Sequence, residues 1–89
     1  MIIEVLGVGD ARSDELEAAV REALEPGLRA AGVTVRTFDD PARMIARGIR
    51  HVPGLVVDGK VVCRGRVPAV AEVRAWLTVA AQKAGGPPG

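Results

Sequence analysis

Eighty-nine residues with a formal net charge of +1 form a chain sized for one domain, with no room for a second core. A hydrophobic fraction of 48% excludes a disordered chain, and no apolar run reaches the roughly 18 residues of a membrane-spanning helix or opens as a cleavable signal. A single cysteine excludes an internal disulfide and makes a cytoplasmic protein the expectation.

Charge is unevenly distributed. Residues 1–42 hold nine acids against four arginines, whereas residues 43–66 hold six bases against Asp58 alone. The two signs either decorate opposite solvated faces or make the basic segment a docking surface for something anionic.

Taken in chain order, Ile2 to Leu6 is a short apolar run ending at glycine, the pattern of a buried strand. Gly7-Val8-Gly9 leads into a helix with Leu16, Val20, Ala23 or Leu24, and Ala31 at helical spacing. Asp14, Glu15 and Glu17 crowd its first turns, where the macrodipole favours negative charge. Pro26 is expected to end or kink that helix, with residues 27–32 as a loose extra turn. Val33 to Phe38 alternates as a strand does. Asp39-Asp40-Pro41 marks a helix start, an aspartate cap before a proline, with Met44 and Ile45 expected inward and Gly48 near the end. Leu55-Val56-Val57 and Val61-Val62-Cys63 read as two strands joined by Asp58-Gly59, a strong hairpin signal. Pro68 is expected to open a last helix with Val70, Val73, Leu77 and Ala80 on one face. Residues 1–83 then form the domain, and residues 84–89 a flexible Gly/Pro tail.

The order is strand, helix, strand, helix, strand, strand, helix. Right-handed crossovers and a terminal hairpin turn it into an α/β fold, a four-stranded mixed sheet with helices on both faces.

Several motifs in this order resemble a known family. They are Gly7-Val8-Gly9 before the first helix, Val52-Pro53 before the third strand, Val56 to Lys60 at the hairpin, and Gly65-Arg66-Val67-Pro68 before the last helix. Over Ile2 to about Ala80 the chain resembles the small thioredoxin-like, redox-active disulfide proteins, which implies a thioredoxin-like fold (βαβαββα). In that family a Cys-x-x-Cys pair opens the first helix, where dipole and backbone donors favour the thiolate and the second sulfur resolves the mixed disulfide. The chain departs from this pattern: Asp10-Ala11-Arg12-Ser13 stands in its place. Neither a carboxylate nor a hydroxyl can run a dithiol cycle, so no catalytic residue is assigned. Asp10 and Ser13 are instead vestigial positions expected to cap the helix, with a recognition role for Asp10 as the sharper alternative. The resemblance further implies a cis bond at Pro53 and a ligand-binding surface of Gly9, Val52, Pro53 and Gly54; a rigid turn is the plainer reading of that proline.

Three functions follow. The preferred one is a redox-inactive module that binds a protein or peptide at the Pro53 surface. The second is a thiol oxidoreductase acting through Cys63 alone with an external thiol, which requires that sulfur to be exposed near Lys60 and Arg64 rather than a small buried hydrophobe. The third is an anion-binding domain using Arg43, Arg47 and Arg50, with Lys60, Arg64 and Arg66 in the same basic segment. Nucleic acid is not expected, because Phe38 and Trp76 are the only aromatics available for stacking on bases. No cofactor, metal site or membrane contact is expected, and His51 has no second histidine to share a metal. A monomer or a homodimer fits equally well.

Overall fold

The computed structural model describes residues 1–25, 27 and 32–84. Its elements are β1 (Ile2–Leu6), α1 (Ala11–Leu24), β2 (Thr34–Phe38), α2 (Pro41–Ala46), β3 (Gly54–Val57), β4 (Lys60–Arg64) and α3 (Val70–Ala84). The sheet order is β2-β1-β3-β4, with β1 parallel to β2 and antiparallel to β3, and β4 antiparallel to β3. This is the α/β, βαβαββα arrangement expected. Pro26, Ala31 and residues 85–89 lie outside the described residues, so the kink at Pro26 and the Gly/Pro tail are not described, apart from Ala84, which ends α3.

Alternation along the strands builds two cores. Ile3, Val5, Leu55 and Val57 face Leu16, Val20 and Leu24 of α1 and Val73 and Leu77 of α3. Leu6 and Val56 face the other way, against Met44 of α2 and Ile49 beyond it. At α1, the expected stripe is buried, with both Ala23 and Leu24 inward. Arg74 of α3 donates to the carbonyls of Glu22, Ala23 and Glu25, so the last carbonyls of α1 are satisfied by its neighbour.

α2 begins as the sequence predicts: Asp40 accepts from the Ala42 N–H at 2.9 Å, and Pro41 occupies the first turn. Its inward face needs a correction. Ile45 is 77% exposed, and Ile49 fills the place expected of it. A six-residue helix can turn only a narrow stripe to the sheet. Met44 takes that stripe, and the chain supplies its second apolar contact after the helix has ended.

The hairpin turn has positive φ at both central residues, 49° at Asp58 and 83° at Gly59, the condition for a type I′ turn. Asp58 also accepts from the Ile2 N–H at 2.7 Å and so ties the turn to β1. Along β4 the register shifts between Leu55 and Val56, leaving Val62 as an extra residue. This bulge sends the consecutive side chains Val62 and Cys63 to the α3 side, while Val61 packs with the α2 core.

α3 begins at Val70 rather than at Pro68, because Glu72 reaches back to close its first turn. The Glu72 carboxylate accepts from the Ala69 N–H at 3.1 Å and from two nitrogens of Arg66 at 3.1 and 2.8 Å. The Arg66 bond, then the Ala69 N–H, lower its pKa from the ordinary 4.5 to about 2. Because the folded value is the depressed one, the stabilisation is present above about pH 4.5 and disappears as pH falls toward 2. Melting temperatures measured across that window are expected to fall more steeply for the parent than for Glu72→Gln. The two slopes should converge in high salt, since the pair faces solvent.

Candidate functional site

Three loops meet at the end of the sheet where β1 stops. The first carries Gly7 to Asp10 into α1, the second carries His51 to Pro53 into β3, and the third carries Gly65 to Ala69 into α3. Hydrogen bonds link them in series. The Arg12 guanidinium donates to the Gly65 carbonyl at 2.8 Å, and the Gly65 N–H donates to the Pro53 carbonyl at 2.9 Å. The Val52–Pro53 peptide bond is cis. Gly65 has φ of +79°, a left-handed conformation that glycine adopts without a Cβ penalty, and its N–H and carbonyl serve both neighbours.

Asp10 and Ser13 lie together at the start of α1. Asp10 Oδ1 accepts from the Ser13 N–H at 3.0 Å and from the Ser13 hydroxyl at 2.9 Å. The backbone donor first, then the hydroxyl, holds the Asp10 carboxyl below its usual range. Both residues are therefore engaged in capping: the carboxylate takes one of the donors that the first turn of a helix leaves open. Ser13 is buried and Asp10 is exposed.

Ser13 is also packed from below. A side chain at Gly7 would collide with Ser13 Oγ and approach its Cβ to 2.8 Å. Gly7→Ala is expected to cost about 1–3 kcal/mol, as overpacking does at a well-filled position. Denaturant unfolding measures it, and Ser13→Gly in the same chain should return part of the loss by removing the atoms struck. Beside this contact lies a cleft of about 270 Å³ bounded by Gly7, Gly9, Ser13, Asp14, Thr37 and Asp39.

The remaining candidates separate. Gly9, with φ of +74°, shapes the first loop, while Pro53 and Gly54 are buried and Val52 is half-buried at the rim. Cys63 is not at this site as a free nucleophile. It is 8% exposed, packed in the core beneath α3, and its thiol points to the Arg66 carbonyl at 3.8 Å. The bulge at Val62 is what turns it inward.

Arg43 and Arg47, read as anion contacts, already have an anion. Arg47 Nε lies 3.0 Å and Arg43 Nη1 3.6 Å from the carboxylate of Glu4, and Arg47 Nη2 donates to it at 3.3 Å. Arg50 is exposed, and the ion pairs to Glu4 come from Arg43 and Arg47 without it. Glu4 itself is 3% exposed in the central strand. Sequence reasoning passed over it, although one acid inside an otherwise apolar strand signals a buried partner. Arg12, which links two loops, was overlooked for want of any local signal. Among the described residues, no group of three or more His, Cys, Asp or Glu side chains is placed to hold a metal ion, and no helix is long and apolar enough to cross a membrane.

The comparisons agree with this frame. A family model described as a thioredoxin domain matches residues 1–78. A curated protein named thioredoxin, from Methanothermobacter thermautotrophicus strain Delta H, is 33% identical over 79 residues, covering 88% of this chain and 99% of that protein. With matches over most of its length and a mixed sheet of the corresponding topology, the chain belongs to the thioredoxin-like family.

Proposed function

We propose that the protein is a redox-inactive thioredoxin-like module, cytoplasmic, that binds a protein or extended peptide at the Val52–Pro53 rim. The observation that supports this reading is an open backbone at that rim: among the described residues, neither the Val52 N–H nor its carbonyl makes a backbone hydrogen bond. An extended ligand can pair with such groups by adding to them as a strand. Val8, 60% exposed on the adjoining first loop, supplies an apolar contact for the ligand's side chains.

Redox inactivity follows from chemistry. Disulfide exchange starts from a thiolate, and position 10 offers a carboxylate already occupied by Ser13. The one-cysteine alternative places its nucleophile at Cys63, which is buried beneath α3. The anion-binding alternative loses Arg43 and Arg47 to Glu4.

The test joins capture to catalysis. The parent and Cys63→Ser should capture the same partners from the native lysate, Val8→Asp should lose them, and none of the three should reduce insulin with dithiothreitol. Insulin reduction that disappears in Cys63→Ser would sink the proposal, as would partners indifferent to Val8→Asp.

A further inference from the structure

We infer that the outer edge of β4 and the α3 surface beneath it form a second docking site, which takes an extended acidic segment of a partner protein as a fifth strand. It is distinct from the Val52–Pro53 rim. A groove of about 430 Å³ runs between the hairpin and α3, lined by Val57, Lys60, Val62, Trp76, Val79 and Ala80 and by Asp58, whose carboxylate already accepts the Ile2 N–H. Val79 is 50% exposed there, and Trp76 is half-buried. A second depression of about 300 Å³ continues past the shared Val62 to Arg64 and Arg66.

The edge makes the groove more than an apolar patch. β4 pairs with β3 on one side, and among the described residues no strand covers the other. An uncovered edge offers a row of N–H and carbonyl groups to an incoming chain. Five residues of β4 span about 17 Å at the usual strand rise of about 3.4 Å, enough to register a short peptide. The bulge adds a side-chain position by pointing Val62 toward the groove mouth, where a strand without it would have placed one residue fewer on that face.

Charge selects the occupant. Lys60 and Arg64 are the charged residues of β4, both are exposed, and neither has an ion-pair partner among the described residues. Arg66 differs, being committed to Glu72. A second copy pairing edge to edge would bring these cations together, which is destabilising across a strand pair. A segment with carboxylates flanking apolar residues instead neutralises Lys60 and Arg64 while an apolar side chain enters beside Trp76. A lipid surface satisfies the cations but offers no partners to the open edge.

Trp76, the only tryptophan of the chain, reports directly on occupancy. Random dodecapeptides displayed against the full chain should yield binders in which Asp or Glu flanks alternating apolar residues. Synthetic copies should shift Trp76 emission to the blue and bind more weakly as salt rises. Their affinity should fall at least about tenfold in Val79→Glu and several-fold in Lys60→Glu and Arg64→Glu, and should hold in Val8→Asp. All four substitutions are at exposed positions, and circular dichroism verifies that each variant folds. Failure to select any binder, or binders without acidic residues, would overturn the inference. So would affinities that fall only in Val8→Asp, which would assign the peptides to the other surface. A Trp76 shift on anionic phosphatidylserine vesicles in the absence of peptide would replace it with a membrane site. Concentration-dependent dimerisation in sedimentation, abolished by Val79→Glu, would replace it with a second copy.

Discussion

Asp10→Cys/Ser13→Cys is expected to convert the protein into a reductase of insulin disulfides driven by dithiothreitol, while the parent stays at background. The start of α1 already has the features a thiolate needs. Asp10 Oδ1 accepts the Ser13 N–H at 3.0 Å at the positive end of the helix dipole, and its carboxyl is held below the usual range by that bond. A sulfur at position 10 inherits the donor and the dipole. An ordinary thiol, with a pKa of about 8.5, is only a few per cent ionised at neutral pH; lowered to about 7, it is half ionised, a gain of roughly fifteenfold in nucleophile. Position 13 supplies the resolving sulfur. It is one turn along, buried above Gly7, in side-chain contact with position 10 at 2.9 Å. Asp10→Cys alone should form a mixed disulfide with a small thiol such as cysteamine and keep it, which mass spectrometry detects. The double variant should release it. Inactivity of the double variant, with its fold verified by circular dichroism, would mean that the turn itself has departed from redox geometry and that more than two sulfurs separate this chain from an active relative.

Much of the frame around that turn was readable because its signals are local. Asp40-Pro41 opens α2 and Asp58-Gly59 makes the hairpin through chemistry that acts within four residues. The apolar run Ile2 to Leu6 was legible as a buried strand, and in the structure pleating puts Ile3 and Val5 on one face and Leu6 on the other. What escaped depends on tertiary contacts. The exposure of Ile45 depends on how far a six-residue helix rotates before Ile49 arrives. Cys63 is the small buried hydrophobe of its plainer reading, but the bulge that turns it inward is announced by no residue type in β4. Arg12 bonds a carbonyl 53 residues away, and only the packing of α1 against the sheet brings the two together. At the site, therefore, the capping pair could be anticipated, whereas the bonds joining its three loops could not.

The same distinction explains the largest stability effect expected of this protein. Arg43→Ala/Arg47→Ala should destabilise the fold by about 3–5 kcal/mol, because it leaves Glu4 as an uncompensated charge in a sheet face covered by α2. The Glu4 side chain is 4% exposed, against 40% and 34% for the two arginines, so the burden of desolvation is unequal. Glu4 Oε1 is buried without an aligned hydrogen bond; the Arg47 guanidinium 3.0 Å away is its compensation, through charge. Arg43, seated 4.2 Å from the centre of the Phe38 ring, is held in place by the aromatic face as well. Glu4→Met should behave oppositely. It removes the buried charge, fills the space with an apolar chain and leaves two arginines that can turn to water, so stability should be unchanged or higher by about 1–4 kcal/mol. Placed in the double-arginine variant, Glu4→Met should restore most of the loss. Each kcal/mol corresponds to about 4–8 °C in melting temperature for a domain of this size, so calorimetry separates the three variants without difficulty. A double-arginine variant within about 1 kcal/mol of the parent would show that water reaches Glu4 and that its ion pairs are no stronger than surface ones. The consequence for binding follows from connectivity. α2 feeds directly into the loop that ends at Val52 and Pro53, so loosening its anchor should weaken ligand capture at the rim even in chains that remain folded.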